Sequence, residues 1–135
     1  MIDYKAILKQ RPVGVFATQD GNTVKTRVFQ YFDFDESENK VYFATSNKKP
    51  VYAQIQRNSN VSFCTYTENY DPVLSVNGKA IFVNDPVLKE RAFEADPSMA
   101  DIYQTPKNPE FEVFYLTVEE IEAFSFEAGP IKFKV

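Results

Sequence analysis

Apolar positions along this chain fall in short alternating or continuous blocks, and only a few stretches show the three-to-four spacing of a helix. Asp3 to Gln10 is one of those stretches. Ile7 and Leu8 face inward, Asp3 stands at the N-cap and Pro12 ends the helix. Val13 to Thr18 then reads as a buried strand, Gln19-Asp20-Gly21-Asn22 supplies the residues of a tight hairpin turn, and Thr23 to Phe32 is the returning strand. After a polar connection from Asp33 to Asn39, a third strand from Lys40 to Thr45 completes an antiparallel meander.

The period changes at Pro50, where Val51, Tyr52, Ile55 and Gln56 suit a helix running to about Asn58. Strands resume at Val61 to Thr67 and Val73 to Val83. Asp85 caps a second helix that runs through Ala95, with Leu88, Ala92 and Phe93 on one side, and a short helical turn follows near Met99 to Tyr103. Phe111 to Leu116, Ala123 to Phe126 and Ile131 to Val135 finish the sheet, with Glu119 and Glu120 in a solvated turn. At least six strands in so short a chain predict a closed or nearly closed barrel, because an open sheet must protect its edges. The fold class is mainly β: one domain over residues 1–135, an antiparallel barrel with two to four connecting helices.

Composition sharpens this picture. Among 135 residues there are 13 Phe and 8 Tyr but no Trp, a bias that suits pleated surfaces. The single cysteine, Cys64, rules out an intramolecular disulfide, and the lack of histidine removes Ser-His and Cys-His nucleophile pairs and histidine-bound metals. Proton transfer would fall to Tyr, Asp, Glu, Lys, water or a cofactor, which favours a borrowed cofactor. A net charge of −4 argues against a broad nucleic-acid surface. No apolar run approaches the roughly 20 residues that span a bilayer, and the N-terminus lacks the pattern of a signal peptide, so a cytoplasmic protein without a membrane partner is expected.

The stretch most informative about chemistry is Tyr42-Phe43-Ala44-Thr45-Ser46-Asn47-Lys48-Lys49-Pro50. A strand ends in hydroxyl and amide residues, passes two lysines and enters a helix whose free N–H groups and positive dipole end welcome an anion. Ser46 or Asn47 can cap the helix, Lys48 and Lys49 can neutralise a phosphate, and Arg27 can reach the same corner with its planar fork. Two lysines at a helix start are equally at home in solvent, and a strand arginine is often a surface residue, so the local pattern permits either reading. No glycine-rich phosphate loop is present.

Taken in order, the Asp-Gly turn, Lys25-Thr26-Arg27-Val28-Phe29-Gln30, the Tyr42 to Lys49 stretch, Asn58-Ser59-Asn60-Val61-Ser62-Phe63 and Val76-Asn77-Gly78-Lys79-Ala80 resemble the pyridoxamine 5′-phosphate oxidase-like family of FMN-binding split barrels. The likeness covers nearly the whole chain and is closest to the short bacterial members. It implies a split β-barrel that binds FMN across a homodimer interface. By the same likeness Arg27 pairs with the FMN phosphate, Val28, Phe29 and Gln30 run along the flavin, and Ala44 and Thr45 form the pair ending the third strand. Lys49 completes the phosphate pocket with Ser46, Asn47 and Lys48 beside it.

Departures from the oxidase limit how far its activity carries over. Phe32 stands where the oxidase has a lysine for its substrate phosphate, Val73 replaces a flavin-contacting glutamine, and the ending Ile131-Lys132-Phe133-Lys134-Val135 lacks the oxidase's arginine and histidine. Pyridoxamine-phosphate oxidation is not expected. The leading expectation is an FMN-dependent oxidoreductase for a small molecule, with NADH or NADPH as a candidate donor and the catalytic residues unassigned. The alternatives are a non-enzymatic flavin carrier or redox sensor, or a relative that uses deazaflavin or haem. Cys64 reads as a buried small hydrophobe, and Tyr52, Tyr66, Tyr70 and Tyr103 as core or dimer-interface residues.

Overall fold

The computed structural model describes residues 2–34 and 39–135, so the middle of the polar connection, residues 35–38, lies outside the described residues. Helix α1 (Tyr4–Gln10) starts where expected: the Asp3 carboxylate accepts from the Ala6 N–H at 3.2 Å, and Tyr4 and Leu8 are buried one turn apart. Strands β1 (Val13–Asp20) and β2 (Thr23–Gln30) pair in register around the turn at Gly21, whose φ of 60° favours glycine. Strand β3 (Lys40–Ser46) follows, then helix α2 (Pro50–Arg57), strands β4 (Asn60–Tyr66) and β5 (Val73–Val83), and helices α3 (Pro86–Ala95) and α4 (Ser98–Tyr103). The long β6 (Phe111–Ser125) and β7 (Gly129–Lys134) close the order. Among the described residues no helix is long and apolar enough to cross a membrane.

The sheet is antiparallel, in the order β2-β1-β4-β5-β6-β3, with β7 also on β6. This corrects the expected meander. β3 pairs along its whole length with β6, and among the described residues its only backbone pairing toward the β2 side is the bridge Phe32↔Tyr42. Both faces of β3 are largely buried, and beside β6 one face meets the barrel core while the other lies under α3 and α4. Val41 and Phe43 enter the barrel, while Tyr42 packs outside with Phe111 and Val113 beneath α3 and α4.

The expected turn at Glu119 and Glu120 is also absent. β6 runs through it as a single strand, and the register slips between Asn77↔Glu120 and Gly78↔Val118, leaving Glu119 as a bulge. The bulge reverses the alternation: Leu116 and Val118 face the barrel before it, Ile121 and Ala123 after it. Gly78 permits this close crossing, since a Cβ there would lie 1.8 Å from the Thr117 carbonyl oxygen.

The phenylalanines fill the barrel. Phe16 lies 5.2 Å from Phe29, 5.1 Å from Phe43 and 5.6 Å from Phe114, and Phe43 lies 4.9 Å from Phe63. Helix α2 seals one end through buried Val51, Gln54 and Ile55; the sequence spacing marks Val51 and Ile55, whereas Gln54 lies outside it and Gln56, which it includes, is exposed. Asp85 caps α3 by accepting from the Val87 N–H at 2.9 Å, and Ala92, Leu88 and Phe93 join the outer core. Of the tyrosines, Tyr103 is buried in that core and Tyr52 packs on Phe82 at 4.6 Å. Tyr66 and Tyr70 lie outside the core, exposed and stacked on each other at 5.2 Å. Cys64 is half-buried rather than buried, because Phe63 and Thr65 take the inward positions of β4 and leave it beside Val15 on the outer face.

Candidate functional site

The place where the barrel is split holds the candidate site. Counting antiparallel from the bridge Phe32↔Tyr42, five residues back along β2 is Arg27 and five residues on along β3 is Asn47, where the chain is leaving the sheet for α2. The gap is a cleft of about 500 Å³ lined by Lys25, Arg27, Phe29, Lys49, Val51 and Gln54, with Asp20, Thr26, Val28 and Pro50 also on its wall. Its size is in the range of small-molecule sites.

Alternation on β2 explains the lining. Lys25, Arg27 and Phe29 share one face, with Phe29 deep in the barrel against Phe16 and Arg27 one step nearer the rim. The Arg27 guanidinium turns toward the barrel. Nη1 donates to the Thr18 hydroxyl at 2.8 Å and to the Phe16 carbonyl at 3.2 Å, and Nη2 donates to Gln54 Oε1 at 2.8 Å. Burial lowers the Arg27 pKa from its ordinary value, which is so high that the group stays charged at neutral pH. Three of its five N–H donors are used within the protein, leaving two for a ligand.

Charge in the cleft is uncompensated. Among the described residues Lys25 and Lys49 make no ion pair, and the one carboxylate on the wall, Asp20, is engaged by Arg57 at 3.1 Å. Lys49 is the N-cap of α2 and Pro50 opens the helix. No side chain caps it, so neither Ser46 nor Asn47 takes the capping role expected of them. Ser46 Oγ instead accepts from the Lys48 N–H at 3.1 Å, and Asn47 Nδ2 donates to the Pro109 carbonyl at 2.8 Å and to Glu112 at 3.0 Å. An uncapped helix start beside three cations suits an anion such as a phosphomonoester.

Of the ten residues expected to hold a cofactor, the structure brings Arg27, Val28, Phe29 and Lys49 onto one cleft wall. Gln30 lies exposed on the outer face of β2, and Ala44 lies among the residues of the outer core. Thr45, Ser46, Asn47 and Lys48 occupy the end of β3 and the turn into α2, off that wall. Thr45 is 2% exposed, and its hydroxyl is the one buried side-chain polar atom without a hydrogen-bond partner among the described residues. Lys25, Thr18 and Gln54 also belong to the site, although the sequence pattern does not single them out. Lys25 is within reach of alternation, standing two residues before Arg27, whereas Thr18 and Gln54 come from other elements and carry no local signal.

Comparison with known proteins bears on the same architecture. No curated protein matches the chain. Among solved structures, a NimC/NimA family protein from Clostridium acetobutylicum is 26% identical, covers 98% of this chain and 90% of its own, and superposes with a TM-score of 0.83. A pyridoxamine 5′-phosphate oxidase-related, FMN-binding protein from Nostoc punctiforme shares the fold at 12% identity and a TM-score of 0.67, covering 100% of this chain and 97% of its own. So does a haem-binding protein from Mycobacterium smegmatis, at 15% identity and a TM-score of 0.74, with 95% of this chain and 55% of its own covered. The family described as pyridoxamine 5′-phosphate oxidase matches residues 2–125 and so takes in every strand of the barrel but β7, together with the cleft between β2 and α2. The split barrel read from the sequence and seen in the fold thus places this chain in the pyridoxamine 5′-phosphate oxidase-like family.

Proposed function

We propose that the chain is an FMN-binding flavoprotein, working as a homodimer and acting as an oxidoreductase on a small molecule. The observation that carries this reading is the convergence of Arg27, Lys25 and Lys49 on one cleft at an uncapped helix start, with no carboxylate free to neutralise them. The donor set fits the phosphate of FMN. Arg27 and Lys49 would hold it, and Phe29 and Val28 would border the ring system. Bound flavin would supply the electron-accepting ring, with a reduced nicotinamide as the donor class. The side chains anchor and orient it. The homodimer is supported by the outward row of Val13, Val15, Val24 and Val28 on β1 and β2, exposed by 43% to 71%, which a second protomer would cover.

Haem is the reading that the mycobacterial neighbour brings. The chain has no histidine, and its cationic cleft matches a phosphate better than a porphyrin face. Absorption spectra separate the two. Purified protein titrated with FMN is expected to show bound-flavin bands, weakened at least tenfold in affinity by Arg27→Ala and by Lys49→Ala, with each lost charge contact worth about 1.5–3 kcal/mol. Binding indifferent to both substitutions, or a Soret band with haem and no flavin signal, would overturn the reading. Turnover of NADH or NADPH by the FMN-loaded dimer then tests the oxidoreductase step, and its absence would favour a carrier or sensor.

A further inference from the structure

We infer that Thr18 and Gln54 are positioning residues that hold the Arg27 guanidinium with neutral acceptors only, so that the cleft keeps its full positive charge and selects a phosphomonoester over the same ligand without phosphate. The identity of that ligand rests on the proposed FMN site. The clamp itself rests on geometry.

Three elements meet at this point. Thr18 on β1 is 2% exposed and Gln54 on α2 is 5% exposed, and Arg27 reaches both from β2. The Thr18 hydroxyl accepts from Arg27 Nη1 at 2.8 Å and donates its own proton to Gln54 Oε1 at 2.6 Å. Gln54 Oε1 therefore takes two donors, one from Arg27 and one from Thr18. Arginine can only donate, so the glutamine oxygen must face it, and every member of the triangle has a single workable orientation. The Phe16 carbonyl adds a further neutral acceptor at 3.2 Å.

A buried arginine ordinarily meets a carboxylate, which fixes the group and cancels its charge together. Here the two effects are separated. The clamp fixes the guanidinium without cancelling its charge, while the acid on the cleft wall, Asp20, is engaged by Arg57. Glutamate at position 54 would keep the size and reach of the acceptor and restore the cancellation. Leucine would remove the Nη2 acceptor and leave the guanidinium held through Nη1 alone.

The experiment compares wild type, Gln54→Glu, Gln54→Leu, Thr18→Val and Thr18→Ser in two readouts. In the ligand-free protein, guanidinium NMR is expected to resolve the two Arg27 Nη groups of wild type and Thr18→Ser. In Gln54→Leu, where Nη2 loses its acceptor, and in Thr18→Val, where Nη1 loses one of its two, they should broaden. In titrations, wild type is expected to prefer FMN over riboflavin, and Gln54→Glu to lose about tenfold of that ratio, with Thr18→Ser retaining it. Inorganic phosphate should shift the Arg27 signals of wild type and not those of Gln54→Glu. A merely structural role for Gln54 would lower melting temperature and leave the ratio unchanged. Free rotation of Arg27 in wild type, or an unchanged phosphate response and FMN-to-riboflavin ratio in Gln54→Glu, overturns the clamp. If wild type binds neither flavin, the FMN reading fails, and the rotation and phosphate readouts still decide the clamp.

Discussion

Replacing Thr45 by valine asks whether the cofactor reading reaches the end of β3. Thr45 is 2% exposed and its hydroxyl has no partner among the described residues, although it sits in a paired strand opposite Glu112. An unsatisfied buried hydroxyl costs about 1–3 kcal/mol, whereas valine has nearly the same shape and no polar atom to desolvate. Both residues are β-branched, so strand preference and side-chain freedom change little. The ligand-free variant should therefore be more stable than wild type by about 1 kcal/mol, the low end of that cost, because the strand end can relax slightly. For a chain of this length that gain raises the melting temperature by roughly 3–5 °C. Urea unfolding and calorimetry of the flavin-free protein measure it. With saturating FMN the sign should reverse if the hydroxyl donates to the phosphate, because the variant loses a charge-assisted hydrogen bond worth about 1.5–3 kcal/mol. A ligand-free Thr45→Val protein destabilised by more than about 1 kcal/mol would refute the reasoning, since it would show that the hydroxyl is already bonded.

Two further predictions concern the bulge and its neighbours. Gly78→Ala should prevent the normal pairing of β5 with β6, because its methyl group would meet backbone rather than a flexible side chain. A loss of at least about 3 kcal/mol in chemical denaturation is expected, and near-neutral behaviour would mean that the strands do not cross this closely. Glu120 titrates below its ordinary range, chiefly because Asn77 donates to it at 3.2 Å, with Lys132 and Lys134 adding attraction. A depressed folded pKa means that the stabilisation is present above the ordinary glutamate range and is lost as pH falls through the folded value. Asn77→Ala should move the Glu120 carboxyl titration up toward the ordinary value, which carbonyl NMR reads directly; an unmoved titration would sink the assignment of cause.

Much of this protein is legible locally. The Asp3 and Asp85 caps, the hairpin at Gly21, the Pro50 helix start and the alternation of β5 depend on neighbours a few residues apart, so spacing alone locates them. The order of these elements also suffices to point to the family, and the Lys49 and Arg27 corner is visible as a charge pattern. What alternation cannot supply is the partner of a strand. β3 looks the same whether it pairs with β2 or with β6, and its two apolar faces find cover only beside β6 under α3 and α4. The bulge at Glu119 reads as a turn because two adjacent glutamates interrupt the apolar rhythm, yet a bulge interrupts it equally and keeps the strand going. The same holds at the site. A sequence shows that an arginine exists on a strand, but its direction is set by acceptors nine residues back on β1 and 27 residues ahead on α2. Those acceptors become neighbours only after the barrel closes, because hydrogen bonds require contact and contact between distant residues is a property of the packed fold.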